Sequence, residues 1–108
     1  MSVVYDPGVL VAAERGDRTV WAEHRVRLEV GAVPVTTAPV IAQVSGSAQQ
    51  AQLRRFLRGC DVIAFTAEDA HDVGEFLAKT RTSDVVDAHV LHVADKLGAT
   101  VLTADFPG

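Results

Sequence analysis

Val3-Val4-Tyr5-Asp6-Pro7-Gly8 decides how this chain folds. Three apolar residues make a short buried strand, an acid ends it, and Pro7 opens a helix at once, since proline is favoured in a first helical turn. A strand that passes straight into a helix is the start of a βαβ crossover and of a parallel sheet. The remaining punctuation agrees. Gly8–Glu14 reads as a short helix closed by Gly16. A second helix capped by Asp17 or Thr19 runs to about Val30, before Gly31. Val33–Thr36 is a second strand, followed by a helix from Thr37-Ala38-Pro39 through Val44. Ser47 is expected to cap a helix from Ala48 to Arg58. Asp61–Phe65 is a third strand, and Thr66 caps a helix from Ala67 to Lys79 with acids in its first turns, where the helix dipole favours them. Ser83 is expected to cap a helix to Leu97 that ends at Gly98, and Thr100–Thr103 is a fourth strand. The order β-α-α-β-α-α-β-α-α-β predicts parallel strands joined by helical crossovers.

Composition bounds the problem further. The 108 residues suffice for one core and are too few for two. Single Cys60 excludes an intrachain disulfide and any multi-cysteine zinc site. Only a three-residue apolar run, Val3–Tyr5, precedes Asp6-Pro7, so no signal peptide is expected, and no apolar run approaches the roughly 18 residues of a membrane span. A cytoplasmic protein without membrane contact is the expectation. Net charge is −4, unevenly spread. Residues 1–58 hold seven arginines against five acids, and residues 59–108 hold nine acids against three bases. The Arg-rich half suits phosphate contacts.

Four aspartates carry the chemistry. Asp6 ends the first strand, Asp84 and Asp87 open the late helix, and Asp105 follows the last strand. In open parallel sheets, ligands collect at the carboxyl ends of the strands. Carboxylates that meet there repel by about 3 kcal/mol per pair at ~5 Å and an effective dielectric near 20. Such a cluster calls for a cation, a proton or a basic partner, and hard cations such as Mg²⁺ accept oxygen ligands.

Four segments in order, Asp6 after an apolar strand, Thr37-Ala38-Pro39-Val40-Ile41-Ala42-Gln43-Val44, Thr82-Ser83-Asp84-Val85-Val86-Asp87-Ala88 and Val101-Leu102-Thr103-Ala104-Asp105, resemble the PIN domain. The pattern looks specifically like the small ribonuclease toxins of type II (VapBC-like) toxin–antitoxin modules, and the resemblance covers nearly the whole chain. The resemblance implies a three-layer α/β/α fold with a central parallel sheet of four or so strands, and one PIN-like domain over residues 1–108. It implies a metal-dependent RNA endonuclease that uses Mg²⁺ or Mn²⁺, a cognate antitoxin and a homodimer. Carried over by position, Asp6 matches the first-strand acid, Asp87 or Asp84 the helix acid and Asp105 the acid after the later strand; Asp6, Asp87 and Asp105 would hold the metal or its waters, and Asp84 would orient a water or second ion. Thr103 would donate to a phosphate or brace Asp105, and Arg81 would contact the RNA backbone. The chain departs from the family twice. Gln43 stands where members usually have Glu and offers a cation only a neutral carbonyl oxygen. Members also generally continue past the last acid into another strand or helix. These departures favour an alternative: a catalytically weak or inactive PIN-like module that binds RNA or an antitoxin.

Other candidates are weaker. His89 and His92 are three apart and expected on an exposed polar face. His24 and His71 have no evident partners, Trp21 reads as a packing or interface residue, and Cys60 lacks a nearby base. A receiver-like signalling domain also gathers acids at strand ends, but Asp61 begins its strand and no Lys follows Thr100.

Overall fold

A computed structural model describes residues 2–46 and 50–104. Ten elements follow the expected order: β1 (Val3–Tyr5), α1 (Pro7–Glu14), α2 (Arg18–Glu29), β2 (Val35–Thr37), α3 (Ala38–Val44), α4 (Ala51–Leu57), β3 (Asp61–Ile63), α5 (Ala67–Thr80), α6 (Val85–Leu97) and β4 (Thr100–Leu102). All strand pairs are parallel, and the sheet order is β3-β2-β1-β4.

That order dictates the layers. The first two crossovers step from β1 to β2 to β3, and the third steps back past them to the far side of β1. Right-handed crossovers place helices on opposite faces when the stepping direction reverses. Accordingly α1 packs with α2, α3 and α4, whereas α5 and α6 pack with each other and α6 lies on β1, β2 and β4. The result is a three-layer α/β/α sandwich around a four-stranded parallel sheet. The reversal also creates a topological switch point between β1 and β4, where doubly wound sheets bind ligands.

The core fills the space between sheet and helices. Val4, Tyr5, Leu10, Val40 and Phe56 are wholly buried. Tyr5 is the largest of these and its ring stacks on Phe56 at 5.4 Å between centroids. Its hydroxyl meets Nδ1 of His24 at 2.8 Å, and the His24 ring stacks on Phe56 at 3.9 Å. His24 therefore has partners after all, on residues distant in sequence. Trp21 packs edge-on against Phe56 and donates its indole N–H to the Ala13 carbonyl at 2.9 Å, so it is a packing residue.

Local chemistry accounts for the element ends. Asp17, Thr37 and Thr66 cap α2, α3 and α5 with side-chain oxygens. Thr66 and Asp69 complete a reciprocal capping box. Gly98 ends α6 with φ 62°, a left-handed conformation open to glycine at little cost. Three expectations shift. Asp84, not Ser83, caps α6, accepting from the Asp87 N–H at 3.0 Å. The second strand begins at Val35, with Val33 exposed before it. Helix α4 begins at Ala51, and residues 47–49, where a Ser47 cap was expected, lie outside the described residues.

Candidate active site at the switch point

Asp6 leaves β1 at the switch point. Its backbone N–H donates to the Leu102 carbonyl at 3.2 Å, which ties the end of β1 to the end of β4. Its carboxylate caps α1, accepting from the Val9 N–H at 3.2 Å. Gly8 lets α1 approach the other strand, since a Cβ there would lie 2.9 Å from the Ala104 carbonyl oxygen and 3.3 Å from Asp6 Oδ1. The segment after β4 thus runs beside Asp6.

Asp84 and Asp87 reach the same end of the sheet from the first turn of α6. The two carboxyl groups share one environment with opposite outcomes. Asp84 has its pKa lowered, chiefly by the backbone N–H of Asp87. Asp87 has its pKa raised, first by burial, then by its hydrogen bond to Asp84 and by the charges of Asp84 and Asp6. Electrostatically, then, Asp6, Asp84 and Asp87 are neighbours, and Asp87 bears the cost of their proximity.

The fourth acid, Asp105, lies outside the described residues. Thr103 is exposed just after β4. Arg81 is exposed at the C-cap of α5 in the left-handed region, with φ 57°. Gln43 is exposed on α3 and faces a cleft of about 440 Å³ that begins at Pro7, the residue after Asp6, and includes Glu14 and Arg15.

Among the described residues, no group of three or more His, Cys, Asp or Glu side chains is placed to hold a metal ion. Asp6 Oδ1 and Asp84 Oδ1 each accept one helix-cap N–H.

Sequence reasoning misplaced a second polar cluster. His89 is wholly buried rather than exposed, and His92 is about one-fifth exposed. Their Nε2 atoms lie 3.6 and 3.3 Å from the Asp69 carboxylate, between α5 and α6, with Lys96 Nζ 3.7 Å from it. The Phe65 ring meets His89 edge-on at 4.7 Å. Backbone and side-chain bonds from Thr66 and the nearby cations hold Asp69 down to about pKa 2. Burial lowers the pKa of His89. The signal for His89 was present: it falls on the Val86–Val90–Val93 stripe at helical spacing.

A groove of about 280 Å³ opens beside the acids, lined by Phe76, Thr80, Thr82, Leu91, Asp84 and Asp87 among others.

Comparison with known proteins supports the architecture. No family model matches the chain, and no curated protein matches it in sequence. Among solved structures it is similar to the crystal structure of VapBC2 from Rickettsia felis bound to a DNA fragment from their promoter. The TM-score is 0.75, the identity 19%, and the match covers 97% of this chain and 88% of that one. The chain has the PIN-like α/β/α fold that its sequence resembles. Among the described residues, no helix is long and apolar enough to cross a membrane.

Proposed function

We propose that this chain is a PIN-like module of a toxin–antitoxin pair that binds RNA at the switch point and cleaves it weakly or not at all. One observation carries the reading. Among the described residues no three His, Cys, Asp or Glu side chains are grouped to hold a metal ion, and Asp6 Oδ1 and Asp84 Oδ1 each accept a helix-cap N–H. Gln43 adds no charge to them, because an amide offers only a neutral oxygen. RNA is favoured as ligand by the seven arginines of residues 1–58 and by exposed Arg81, three residues before Asp84 in the chain. A cognate antitoxin and a second copy of the chain are the protein partners in this reading.

A second reading, a metal-dependent ribonuclease toxin, is favoured by the raised pKa of Asp87, since crowded carboxylates call for a cation. In that case Asp6, Asp87 and Asp105 would hold Mg²⁺ or Mn²⁺. A divalent ion supplies charge stabilisation at a phosphate and an activated water. Thr103 would then support Asp105 or the phosphate.

Fluorescence anisotropy with a labelled single-stranded RNA in EDTA tests the binding claim. We expect binding without metal that weakens with salt, log K falling linearly against log salt as about 0.7 per phosphate contacted. Binding that appears only with Mn²⁺ would favour the ribonuclease reading instead.

A further inference from the structure

Helix α2 has one buried anchor, and it is a histidine. Of its 12 residues His24 alone is buried. Val20 and Trp21 are half-buried, and Val26 and Leu28 are exposed, so His24 stands where an apolar stripe usually seats a helix. Its ring stacks on Phe56 of α4 at 3.9 Å between centroids, and Trp21 meets it edge-on at 6.2 Å. Gly59 closes over it, since a Cβ there would stand 3.0 Å from Nε2. The polar contacts suit the neutral ring. Nδ1 lies 2.8 Å from the hydroxyl of wholly buried Tyr5 on β1, and the Phe56 backbone carbonyl accepts from the imidazole. A neutral imidazole has one N–H and one acceptor nitrogen, which serve Phe56 and the Tyr5 O–H respectively. Arg27 Nη1, a donor only, reaches the same hydroxyl at 3.3 Å, and Arg27 Nη2 lies 3.7 Å from Glu23. Tyr5, Arg27, Glu23 and Cys60 are the ionisable groups that face this network.

We propose that His24 is an acid-released latch: the neutral imidazole closes α2 onto β1 and α4, and uptake of a proton at Nδ1 frees the helix. Donor counting carries the inference. With Nδ1 protonated, the ring and Arg27 both present donors to the Tyr5 oxygen, and the Tyr5 proton must turn elsewhere inside the core. The imidazolium also places a charge where water is excluded and where Arg27 already brings one. Burial holds the pKa of His24 below its ordinary value; the Phe56 bond opposes this, and Arg27 adds to it. Once α2 swings out, the ring meets water and regains a pKa near 6.5. Opening therefore takes up a proton. Below about pH 6.5 the opening constant rises, by up to about tenfold for each unit of pH, until the folded pKa is passed. Tyr5 immediately precedes Asp6, so the latch grips the strand that carries the candidate site.

The test is amide hydrogen exchange of the full chain, read by mass spectrometry at about pH 7.5 and about pH 5.5, either side of the ordinary histidine pKa. Rates are corrected for intrinsic exchange. Peptides from α2 should lose up to about tenfold in protection at the lower pH, while those from α1 keep theirs. His24→Asn supplies an amide oxygen near the place of Nδ1 and does not titrate, so it should abolish the acid-induced loss in α2. Protection of α2 that is equal at the two pH values overturns the proposal. So does an acid-induced loss that His24→Asn retains, because the proton is then taken up elsewhere. If His24→Asn fails to fold, NMR titration of the wild-type imidazole decides. A His24 midpoint below about 6.5 supports the latch, and one at or above it overturns the latch.

Discussion

Gly8→Ala isolates the close approach on which the switch point depends. Two effects oppose each other. Alanine is the better helix former, worth up to about 0.8–1 kcal/mol in a helix interior and less in a first turn, where Gly8 lies. Against this, the new Cβ would stand 2.9 Å from the Ala104 carbonyl oxygen, closer than a carbon tolerates, and 3.3 Å from Asp6 Oδ1. The first neighbour is main chain, so it cannot swing away as a long side chain would. Overpacking of this kind costs about 1–3 kcal/mol. The clash outweighs the propensity, and the net is a destabilisation of about 1–2 kcal/mol. Urea unfolding followed by circular dichroism should show a lower midpoint with an unchanged slope. The melting temperature should fall by about 4–8 °C for each kcal/mol, as for a domain near 100 residues. A variant as stable as the wild type, or more so, would mean that the segment after β4 does not pass over Gly8. The convergence of Asp6 with that segment would then be wrong.

Three further outcomes follow from the electrostatics. Asp87→Asn should stabilise the protein at neutral pH, because the raised pKa of Asp87 makes its ionised form unfavourable in the fold. The advantage should vanish as pH falls below the ordinary carboxylate range, where Asp87 is protonated, and urea melts across pH read the trend. Asp69→Asn should destabilise at neutral pH. The folded pKa of Asp69, about 2, is depressed, so its contribution is present above the unfolded value near 4 and disappears as pH falls through 2; a difference that persists unchanged into acid would contradict this. Cys60 should resist alkylation at pH 8 until the protein is unfolded, since burial pushes its thiol up to about 12, and rapid native labelling counted by mass spectrometry would refute it.

Much of the fold was legible because its signals are local. Asp6-Pro7 marks a strand-to-helix transition, Asp17, Thr37 and Thr66 announce caps, and Gly98 announces a stop. Alternation of strands with helix pairs then leaves little freedom beyond a parallel sheet. The choice between Ser83 and Asp84 as cap was not legible, because both side chains can accept an N–H and only the helix phase decides. Burial of His89 was obscured by reading residue type before periodicity. The pairing of Tyr5 with His24 was out of reach, since it joins β1 to α2 across the core. For the candidate site, the sequence indicated that Asp6, Asp84 and Asp87 would share one end of the sheet. A capping role for Asp84 at the start of its helix was legible beside the chemical one, whereas which oxygen each cap would use depends on side-chain rotamers. Gln43 was legible as a missing charge, whereas its exposure beside Glu14 and Arg15 came from the packing of α1 on α3.

Single-turnover cleavage of a labelled single-stranded RNA by excess protein, with Mn²⁺ and with EDTA, addresses the central claim most directly. The account predicts that RNA is bound in both conditions, that cleavage with Mn²⁺ is slow or absent, and that Asp6→Asn changes binding little. Rapid Mn²⁺-dependent cleavage by the wild type, abolished by Asp6→Asn, would contradict it and establish a working nuclease site.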